Sequence, residues 1–387
     1  MAKDNAEFFS LENLDLNVLK DLKKKLIEYD YNENEIKVKL KLSGPYLKLD
    51  PLSYPLLKYL VNTNKPFDIL VSLFFLGIKV KVDKIFKAFT KDEIKKLSKM
   101  NILKVYPKNK NVVSKVRIFP FKNFFFFFDS TIDIKSVYII GDDSYYLAKA
   151  IPEIKFDSAL DLGCGSGIHS IIASRFCNNV TGIDINPRAI NFSKFNAIFN
   201  GIENVNFRLG DLYNTIGNKK FDIIISNCPF VATPYENFKI LFRDSGKLGE
   251  YHIKRVIKGI AQHLKENGIF LAITEIKRRE GMTSNDVTKN LLGNNKFKVL
   301  QIPIFYKCTC TLCYSVGHCI GNLIVHNFKK YEDEITKWYK NLEKKKIDEI
   351  VLTILCIKRD ENFHFLEKHF NGQASELKRI VEDFYYS

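Results

Sequence analysis

Apolar residues recur at helical spacing near the start of the chain and change to alternating strand and helix patterns after residue 150. Helix-compatible spacing joins Leu14, Leu19, Leu22 and Leu26, and short helical runs continue to Ser98. Strand-like runs follow between Val116 and Ile140, including the buried-strand pattern Phe124–Phe128. From Pro152 to Thr274 short apolar strands alternate with amphipathic helices, which predicts an α/β fold with a mostly parallel sheet and helices on both faces.

Turn residues set the expected ends of several elements. Gly141 lies in a turn, and Asp143 or Ser144 is expected to cap a helix that follows it. A long helix over residues 251–265 is expected to end at Asn267-Gly268. Residues 297–304 and 323–326 are predicted to supply late antiparallel strands. A further strand is predicted over 350–357, and a helical tail over 363–385.

These patterns divide the chain into four predicted parts. Residues 1–110 form a mainly helical accessory module, in which short helices followed by a strand pair resemble a winged helix. Such a module can contact nucleic acid or a protein partner, or simply pack against its neighbour. Residues 111–150 are a strand-rich connector, 151–330 the domain of alternating strands and helices, and 331–387 a C-terminal helix-strand-helix extension.

Composition narrows the class of protein but not its partner. No run of 18 apolar residues occurs, so no membrane span or membrane partner is predicted. The N-terminus lacks the layout of a secretory signal, and the eight cysteines are expected to be free thiols in the cytoplasm. The net charge of +16 fits either an acidic partner such as nucleic acid or a lysine-rich composition in which lysines are scattered among carboxylates. Only clustered charge favours the first.

A glycine-rich loop carries the strongest chemical signal. Asp161-Leu162-Gly163-Cys164-Gly165-Ser166-Gly167 follows a strand and precedes a helix. Glycines at alternate positions let the backbone approach a ligand closely, and the helix presents unpaired amides toward it. A dinucleotide loop has the spacing G-x-G-x-x-G, and the carboxylate of Asp161 would repel a pyrophosphate. It suits the cationic amino-acid end of S-adenosylmethionine.

Two further carboxylates follow the next two strands. Asp184 ends the second strand, where it can accept both hydroxyls of a ribose. Asp211 follows the third strand and can accept the amino group of adenine. Each motif alone is common, but at the tips of three consecutive strands they together indicate one cofactor site.

The fourth strand ends in Asn227-Cys228-Pro229-Phe230, a tetrapeptide suited to holding a nitrogen. A planar nitrogen needs two acceptors for its N–H groups, which the Asn227 side chain and the Cys228 carbonyl can supply. Pro229 stiffens the turn, and Phe230 can stack on a flat acceptor.

These motifs, from about residue 151 to 276, resemble a class I methyltransferase of the methyltransferase small domain type. That group includes glutamine methyltransferases acting on peptide-chain release factors and guanine-N2 methyltransferases acting on ribosomal RNA. The resemblance implies a Rossmann-like domain with a seven-stranded sheet, and S-adenosylmethionine as donor with S-adenosylhomocysteine as product. It implies catalytic roles for Asn227, Cys228, Pro229 and Phe230, although Cys228 stands where the family has proline. The implied cofactor residues are Asp161, Gly163, Cys164, Gly165, Gly167, Asp184, Ile185, Asp211, Leu212 and Asn227.

The acceptor remains open at this point. An N-methyltransferase acting on a protein or peptide comes first. An RNA base and a small metabolite are the alternatives, and a non-catalytic cofactor-binding module ranks last, since Asn227 and the glycine loop are intact.

A cysteine cluster stands apart from these motifs. Cys308, Cys310, Cys313 and Cys319, with His318, could bind zinc, but their spacing is not that of paired C-x-x-C knuckles. Buried free thiols are the favoured interpretation.

Overall fold

A computed structural model describes residues 14–42, 54–130, 140–234, 240–293, 296–307 and 331–387, with residues 11, 136 and 137. The chain forms two compact units. The first comprises residues 1–142, 165–168 and 186–203, and the second comprises 143–164, 169–185 and 204–387. None of the described helices is long and apolar enough to cross a membrane.

Short helices, a small sheet and an apolar hairpin form most of the first unit. Its elements up to residue 129 are α1 (Leu16–Glu28), α2 (Glu33–Leu40), α3 (Tyr54–Leu60), α4 (Pro66–Leu70, continued by a π-helical turn Val71–Phe75), β1 (Val80–Lys81), α5 (Val82–Ile85), α6 (Lys91–Lys99), β2 (Leu103–Tyr106), β3 (Asn111–Ser114), β4 (Val116–Phe121) and β5 (Phe124–Asp129). The sheet has the order β1-β3-β2, with β3 antiparallel to both neighbours. This order of elements fits the winged-helix interpretation, which stays a prediction.

Alternating strands and helices follow. They are α7 (Asp142–Ala150), β6 (Phe156–Leu162), α8 (Ile168–Ala173), β7 (Cys177–Asp184), α9 (Pro187–Asn200), β8 (Val205–Leu209), β9 (Phe221–Ser226), α10 (Tyr251–His263), β10 (Leu264–Arg279), α11 (Ser284–Leu292), β11 (Phe297–Lys307), α12 (Tyr331–Lys344), β12 (Ile347–Arg359), β13 (His364–Glu367) and α13 (Ala374–Tyr386). A 3₁₀ turn covers Leu212–Thr215.

The phenylalanine run forms the predicted buried strand, and asparagines complete its hydrogen bonding. β5 pairs with β4 on one edge. At its other edge, the Asn196 and Asn200 side chains of α9 bond to the backbone N–H and C=O groups of Phe127 and Phe125, at 2.8–3.0 Å. Because an unpaired buried edge would be costly, these fully or largely buried asparagines explain why α9 packs on β5.

The second unit contains an eight-stranded sheet of order β13-β11-β12-β10-β9-β6-β7-β8. The pairings of β6, β7, β8, β9 and β10 are parallel, and β12 is antiparallel to both of its neighbours. The predicted α/β class with a mostly parallel sheet is therefore confirmed. The expected count of seven strands is wrong by one, because β13 adds four residues parallel to β11.

Two sequence-based element predictions need correction. The helix expected to end at Asn267-Gly268 ends at His263, and Gly268 lies within β10. A Cβ there would lie 2.9 Å from the Asp222 carbonyl oxygen, so the glycine permits close strand packing and does not cap a helix. The predicted helical tail over 363–385 begins with β13, and its helix starts only at Ala374. The late strand predicted over 297–304 is β11, which pairs antiparallel with β12. The strand predicted over 323–326 lies outside the described residues.

Candidate active site

The glycine loop after β6 adopts a conformation that favours glycine at three positions. Positive φ angles occur at Gly163 (73°), Gly165 (54°) and Gly167 (82°). A Cβ on Gly163 would also lie 3.1 Å from the Cys228 sulfur, whereas no described atom lies within 4 Å of a Cβ built on Gly165. The Gly163 and Cys164 amides donate to the Ile183 carbonyl at 2.8 and 3.0 Å, which ties the loop to the end of β7. The loop therefore leaves space beside its backbone at Gly165.

Asp161 is fully buried at the end of β6, and only one of its two carboxylate oxygens has a hydrogen-bond partner among the described residues. Oδ2 accepts hydrogen bonds from the Ser170 amide and hydroxyl at 2.9 and 2.6 Å. Oδ1 is buried and has no partner among the described atoms. Burial raises the pKa of Asp161 to about 7, with the nearby Asp184 carboxylate adding to the rise and Ser170 opposing it. An unsatisfied buried oxygen of this kind fits a cationic group of a ligand.

The ends of β7 and β8 lie side by side, as the sequence predicted for Asp184 and Asp211. The two strands are parallel, and the Gly210 amide donates to the Asp184 carbonyl at 3.0 Å. Ile185 follows Asp184 with its side chain about half exposed, an apolar surface at the strand tip. The Asp184 carboxylate is half-buried there, a setting that fits ribose hydroxyls.

Asp211 is engaged by a residue that the sequence did not single out. Arg255 of α10 donates to Asp211 Oδ2 at 2.7 Å, and both side chains are about one-third exposed. The hydrogen bond to Asp211 raises the pKa of Arg255 above its usual value. Asp211 Oδ1 accepts no hydrogen bond from the described residues. Leu212 follows with a positive φ of 51° and begins the 3₁₀ turn.

Asn227 lies directly after β9 and is held by the start of α7. Its Nδ2 donates to Asp143 Oδ2 at 3.0 Å and to Ser144 Oγ at 3.1 Å. A carboxylate only accepts hydrogen bonds, so the group facing Asp143 is the NH₂ and the Asn227 carbonyl oxygen faces away from Asp143. The cap predicted at Asp143 or Ser144 is wrong, because the helix already begins at Asp142 and both residues are buried in its first turn.

His169 forms a hydrogen bond with Ser144, one of the two residues that hold Asn227. Its ring Nε2 lies 3.1 Å from the Ser144 carbonyl oxygen. Burial lowers the pKa of His169 to about 4, so the ring is neutral near pH 7 and donates this hydrogen bond. The α8 helix is thereby connected to the residues that orient Asn227.

Cys228 compensates for the proline that the family pattern has at its position. Its buried sulfur lies 3.2 Å from Ser226 Oγ and 3.4 Å from the Leu162 carbonyl oxygen. Burial raises the pKa of Cys228 to about 12, so the group is a thiol that donates to Leu162 and not a nucleophilic thiolate. These contacts fasten the tetrapeptide to the end of β6.

A buried ion pair supports the backbone carbonyl of Phe230. The Lys277 ammonium of β10 donates to the Phe230 carbonyl at 2.6 Å and lies 3.3 Å from Glu275. Lys277 and Glu275 are both almost fully buried. A Cβ on Gly249 would lie 2.3 Å from the Phe230 oxygen and 2.5 Å from the Lys277 nitrogen, so Gly249 is required for this approach. The sequence alone did not single out any of these three supporting residues.

The structure does not test the cysteine cluster, for which the sequence favours free thiols over zinc. Cys308, Cys310, Cys313 and Cys319, with His318, lie outside the described residues. Among the residues that are described, no group of three histidine, cysteine or carboxylate side chains could hold a metal ion.

Comparisons with known proteins identify the family of the domain that contains these residues. A family described as "Methyltransferase domain" matches residues 155–351, just over half of the chain. A Methanocaldococcus jannaschii protein named "Putative protein N5-glutamine methyltransferase" is 32% identical over 180 residues, which cover 43% of this chain and 86% of the relative.

Two bacterial relatives match over shorter segments. A release factor glutamine methyltransferase of Fusobacterium nucleatum is 34% identical over 39% of this chain and 44% of its own length. A ribosomal protein L11 methyltransferase of Phocaeicola vulgatus is 46% identical over 19% of this chain and 27% of its own length. The chain thus spans less than half of either bacterial relative. The matched domain and the extent of the archaeal match show that the protein belongs to the methyltransferase-domain family and is an S-adenosylmethionine-dependent methyltransferase.

Proposed function

We propose that the protein methylates a planar amide nitrogen of a protein side chain, with glutamine as the first candidate. The observation that carries the proposal is the orientation of Asn227. Its NH₂ group is occupied by Asp143 and Ser144, which leaves a carbonyl oxygen as the group it can offer to an acceptor. A fixed hydrogen-bond acceptor suits an N–H and not a hydroxylate or carboxylate target.

The cofactor site is assigned to the tips of three strands. S-adenosylmethionine, when bound, supplies an electrophilic methyl group on a sulfonium. Asp161 Oδ1 would hold the amino-acid ammonium, Asp184 the ribose hydroxyls and Asp211 Oδ1 the adenine amino group.

Catalysis then depends mainly on positioning. An amide nitrogen is a weak nucleophile, so its lone pair must be aimed at the methyl carbon. The Asn227 Oδ1 and the Cys228 carbonyl would accept its two N–H bonds. A nitrogen–carbon bond forms as the carbon–sulfur bond breaks, and one proton leaves the nitrogen for solvent. Phe230, half-buried beside this position, would cover one face of the amide.

The names of the relatives favour a protein acceptor. Two of them are named as glutamine methyltransferases and one as a ribosomal protein methyltransferase. An RNA base offers a planar nitrogen as well, and so do some metabolites, so both stay as alternatives. The non-catalytic alternative is disfavoured by the ordered support around Asn227.

The test identifies the chemical form of the product. Purified enzyme is incubated with S-adenosylmethionine carrying a radioactive methyl group and with protein and RNA fractions of cells that lack the gene. We expect label in the protein fraction, released as methylamine by acid hydrolysis, since hydrolysis of an N-methyl amide leaves the methyl on nitrogen. Asn227→Ala is the matched control and should lower labelling at least about a hundredfold.

Three other results of this labelling experiment would contradict parts of the proposal. Label released as methanol indicates a methyl ester and contradicts the amide assignment. Label that enters nucleosides after nuclease digestion supports the RNA alternative. Full labelling by Asn227→Ala removes the proposed role of Asn227.

A further inference from the structure

Basic residues are clustered in one part of the chain and mixed with carboxylates elsewhere. The 35 residues between Glu93 and Asp129 contain nine lysines and arginines and no aspartate or glutamate. Scattered charges leave no net field on a surface, but a cluster of one sign does. The cluster therefore indicates a binding partner other than the ligands of the site in the second unit.

Most of these charges lie on α6 and on the hairpin formed by β2 and β3. Lys95 and Lys99 are exposed on α6, and Lys108 and Lys110 are exposed at the hairpin turn. Lys104 is half-exposed on β2. With Tyr106 these five lysines define what we call the basic hairpin face. The hairpin is held in place by the register of β2 with β3 and by the contact of α6 with β2.

Some of the nine charges serve the fold and do not belong to this face. Arg117 is largely buried and donates to the Phe75 carbonyl. Lys115 is half-buried and donates to Asn101 at 3.4 Å, and Lys96 is paired with Asp92 at 2.7 Å. The five lysines of the basic hairpin face have no ion pair among the described residues.

An aromatic ring stands among the charges. Tyr106 is 37% exposed, and the Lys104 ammonium lies 5.1 Å from its ring centroid. Val105 beside it is equally exposed. An exposed ring flanked by lysines can stack on an unpaired base while the ammonium groups contact phosphates. An acidic protein would use the lysines but has no need of the ring.

The carboxylates near the face belong to neighbouring elements and to the start of α6. Asp15 and Asp21 lie close enough to Lys96 of α6 to act on its charge. Asp83 is exposed on α5, next to Val82, whose amide donates to the Lys110 carbonyl at 2.9 Å. Asp92 and Glu93 lie in the first turn of α6, and both have basic partners. The hairpin turn itself carries Lys108 and Lys110 and no carboxylate.

We propose that the basic hairpin face binds single-stranded nucleic acid. Lysines contact the phosphates without reading sequence, and Tyr106 stacks on a base. The inference is independent of the proposed acceptor, because it concerns the first unit alone.

The test measures binding of the full-length protein to a fluorescent 20-nucleotide single-stranded RNA over a range of salt concentrations. Replacing Lys104, Lys108 and Lys110 by glutamine should flatten the slope of log Kd against log salt by about two, since each phosphate contact contributes roughly 0.7. Tyr106→Ala should weaken binding at least about fivefold with little change in slope. A matched control replaces Lys340, Lys344 and Lys368, which are exposed in the second unit, and should leave the slope unchanged.

Additional binding measurements identify the class of partner. Single-stranded DNA of the same sequence separates RNA from DNA, and either one supports the proposal if it depends on the face. Poly-glutamate that competes as well as RNA at equal charge overturns the proposal in favour of an acidic protein. Equal loss of binding in the hairpin and control variants also overturns it, because binding would then follow net charge alone. Circular dichroism verifies that the variants are folded.

Discussion

At the scale of single residues, the site depends on how its polar atoms are paired. The sequence predicted that Asp161 and Asn227 belong to the site, because their spacing along the chain places them at strand ends. It did not predict that Asp161 has one unsatisfied oxygen or that Asn227 presents its carbonyl, since both depend on partners far along the chain. Asp143 is 84 residues away from Asn227, a separation at which no local pattern is informative.

The raised pKa of Asp161 predicts that cofactor affinity depends on pH. The carboxyl group titrates at about 7 in the free protein, and a bound ammonium favours its ionised form. Affinity for S-adenosylmethionine should therefore rise with pH, by roughly eightfold between pH 6 and 7.5, and calorimetry in two buffers should show proton release. Asp161→Asn is the control and should bind weakly with little pH dependence. A wild-type affinity that is flat over this range would contradict the predicted ammonium contact.

The pairing of Asn227 with Asp143 predicts a rescue. Asn227→Asp places two carboxylates about 3 Å apart and should lower turnover at least about a hundredfold. Adding Asp143→Asn restores a donor–acceptor pair with its polarity reversed and keeps an oxygen for the acceptor. The double variant should recover part of the turnover lost by Asn227→Asp, measured with the methyl-labelling assay. If the double variant is no better than Asn227→Asp, Asp143 does not orient residue 227.

At the scale of elements, hydrophobic periodicity predicted the strands and helices well and their ends less well. The sequence predicts a helix over 187–200 and strands over 205–209 and 221–226, and α9, β8 and β9 have these bounds. Asn186 and Gly201 delimit α9 locally. The sequence predicts a strand over 269–274, but β10 begins five residues earlier, at Leu264, because Leu264 already pairs with Phe221 of β9. The extra strand β13 has one exposed face and a mixed pattern, so it gave no periodic signal.

The buried ion pair on β10 predicts a large loss of stability on removal of one partner. Lys277→Met leaves Glu275 buried without its cation and the Phe230 carbonyl without its donor, and should lower the free energy of unfolding by about 3–5 kcal/mol. Urea denaturation measures the change. Adding Glu275→Leu should recover part of the loss, since the uncompensated charge is then removed.

An exposed pair supplies the control for this measurement. Lys254 lies 2.7 Å from Glu250 but is half exposed, so Lys254→Met should change stability by less than about 1 kcal/mol. A Lys277→Met variant as stable as Lys254→Met would mean that the β10 pair is hydrated in solution.

At the scale of the whole molecule, the sequence separated an accessory module from a catalytic domain by a change of pattern. Hydrogen bonds between residues far apart in the chain cross this predicted boundary. The buried Tyr31 hydroxyl of the first segment donates to the Ile118 carbonyl of β4 at 2.8 Å, and Lys23 donates to the Phe199 carbonyl of α9. The predicted boundary at residue 110 therefore lies between elements that are bonded to each other, which no composition shift could indicate.

These contacts predict the result of removing residues 1–109. The deletion removes the donors to Ile118 and Phe199 and uncovers aromatic residues that pack beside Tyr31, such as Phe125. We expect the shortened protein to unfold at a temperature lower by several degrees and to bind an apolar dye, because buried apolar surface becomes exposed. Tyr31→Phe in the full-length chain is the matched control. It loses one buried hydrogen bond and should cost only about 1–3 kcal/mol, since the Ile118 carbonyl is left without that donor. A shortened protein with unchanged melting temperature and cofactor affinity would show that the first 109 residues fold as an independent module.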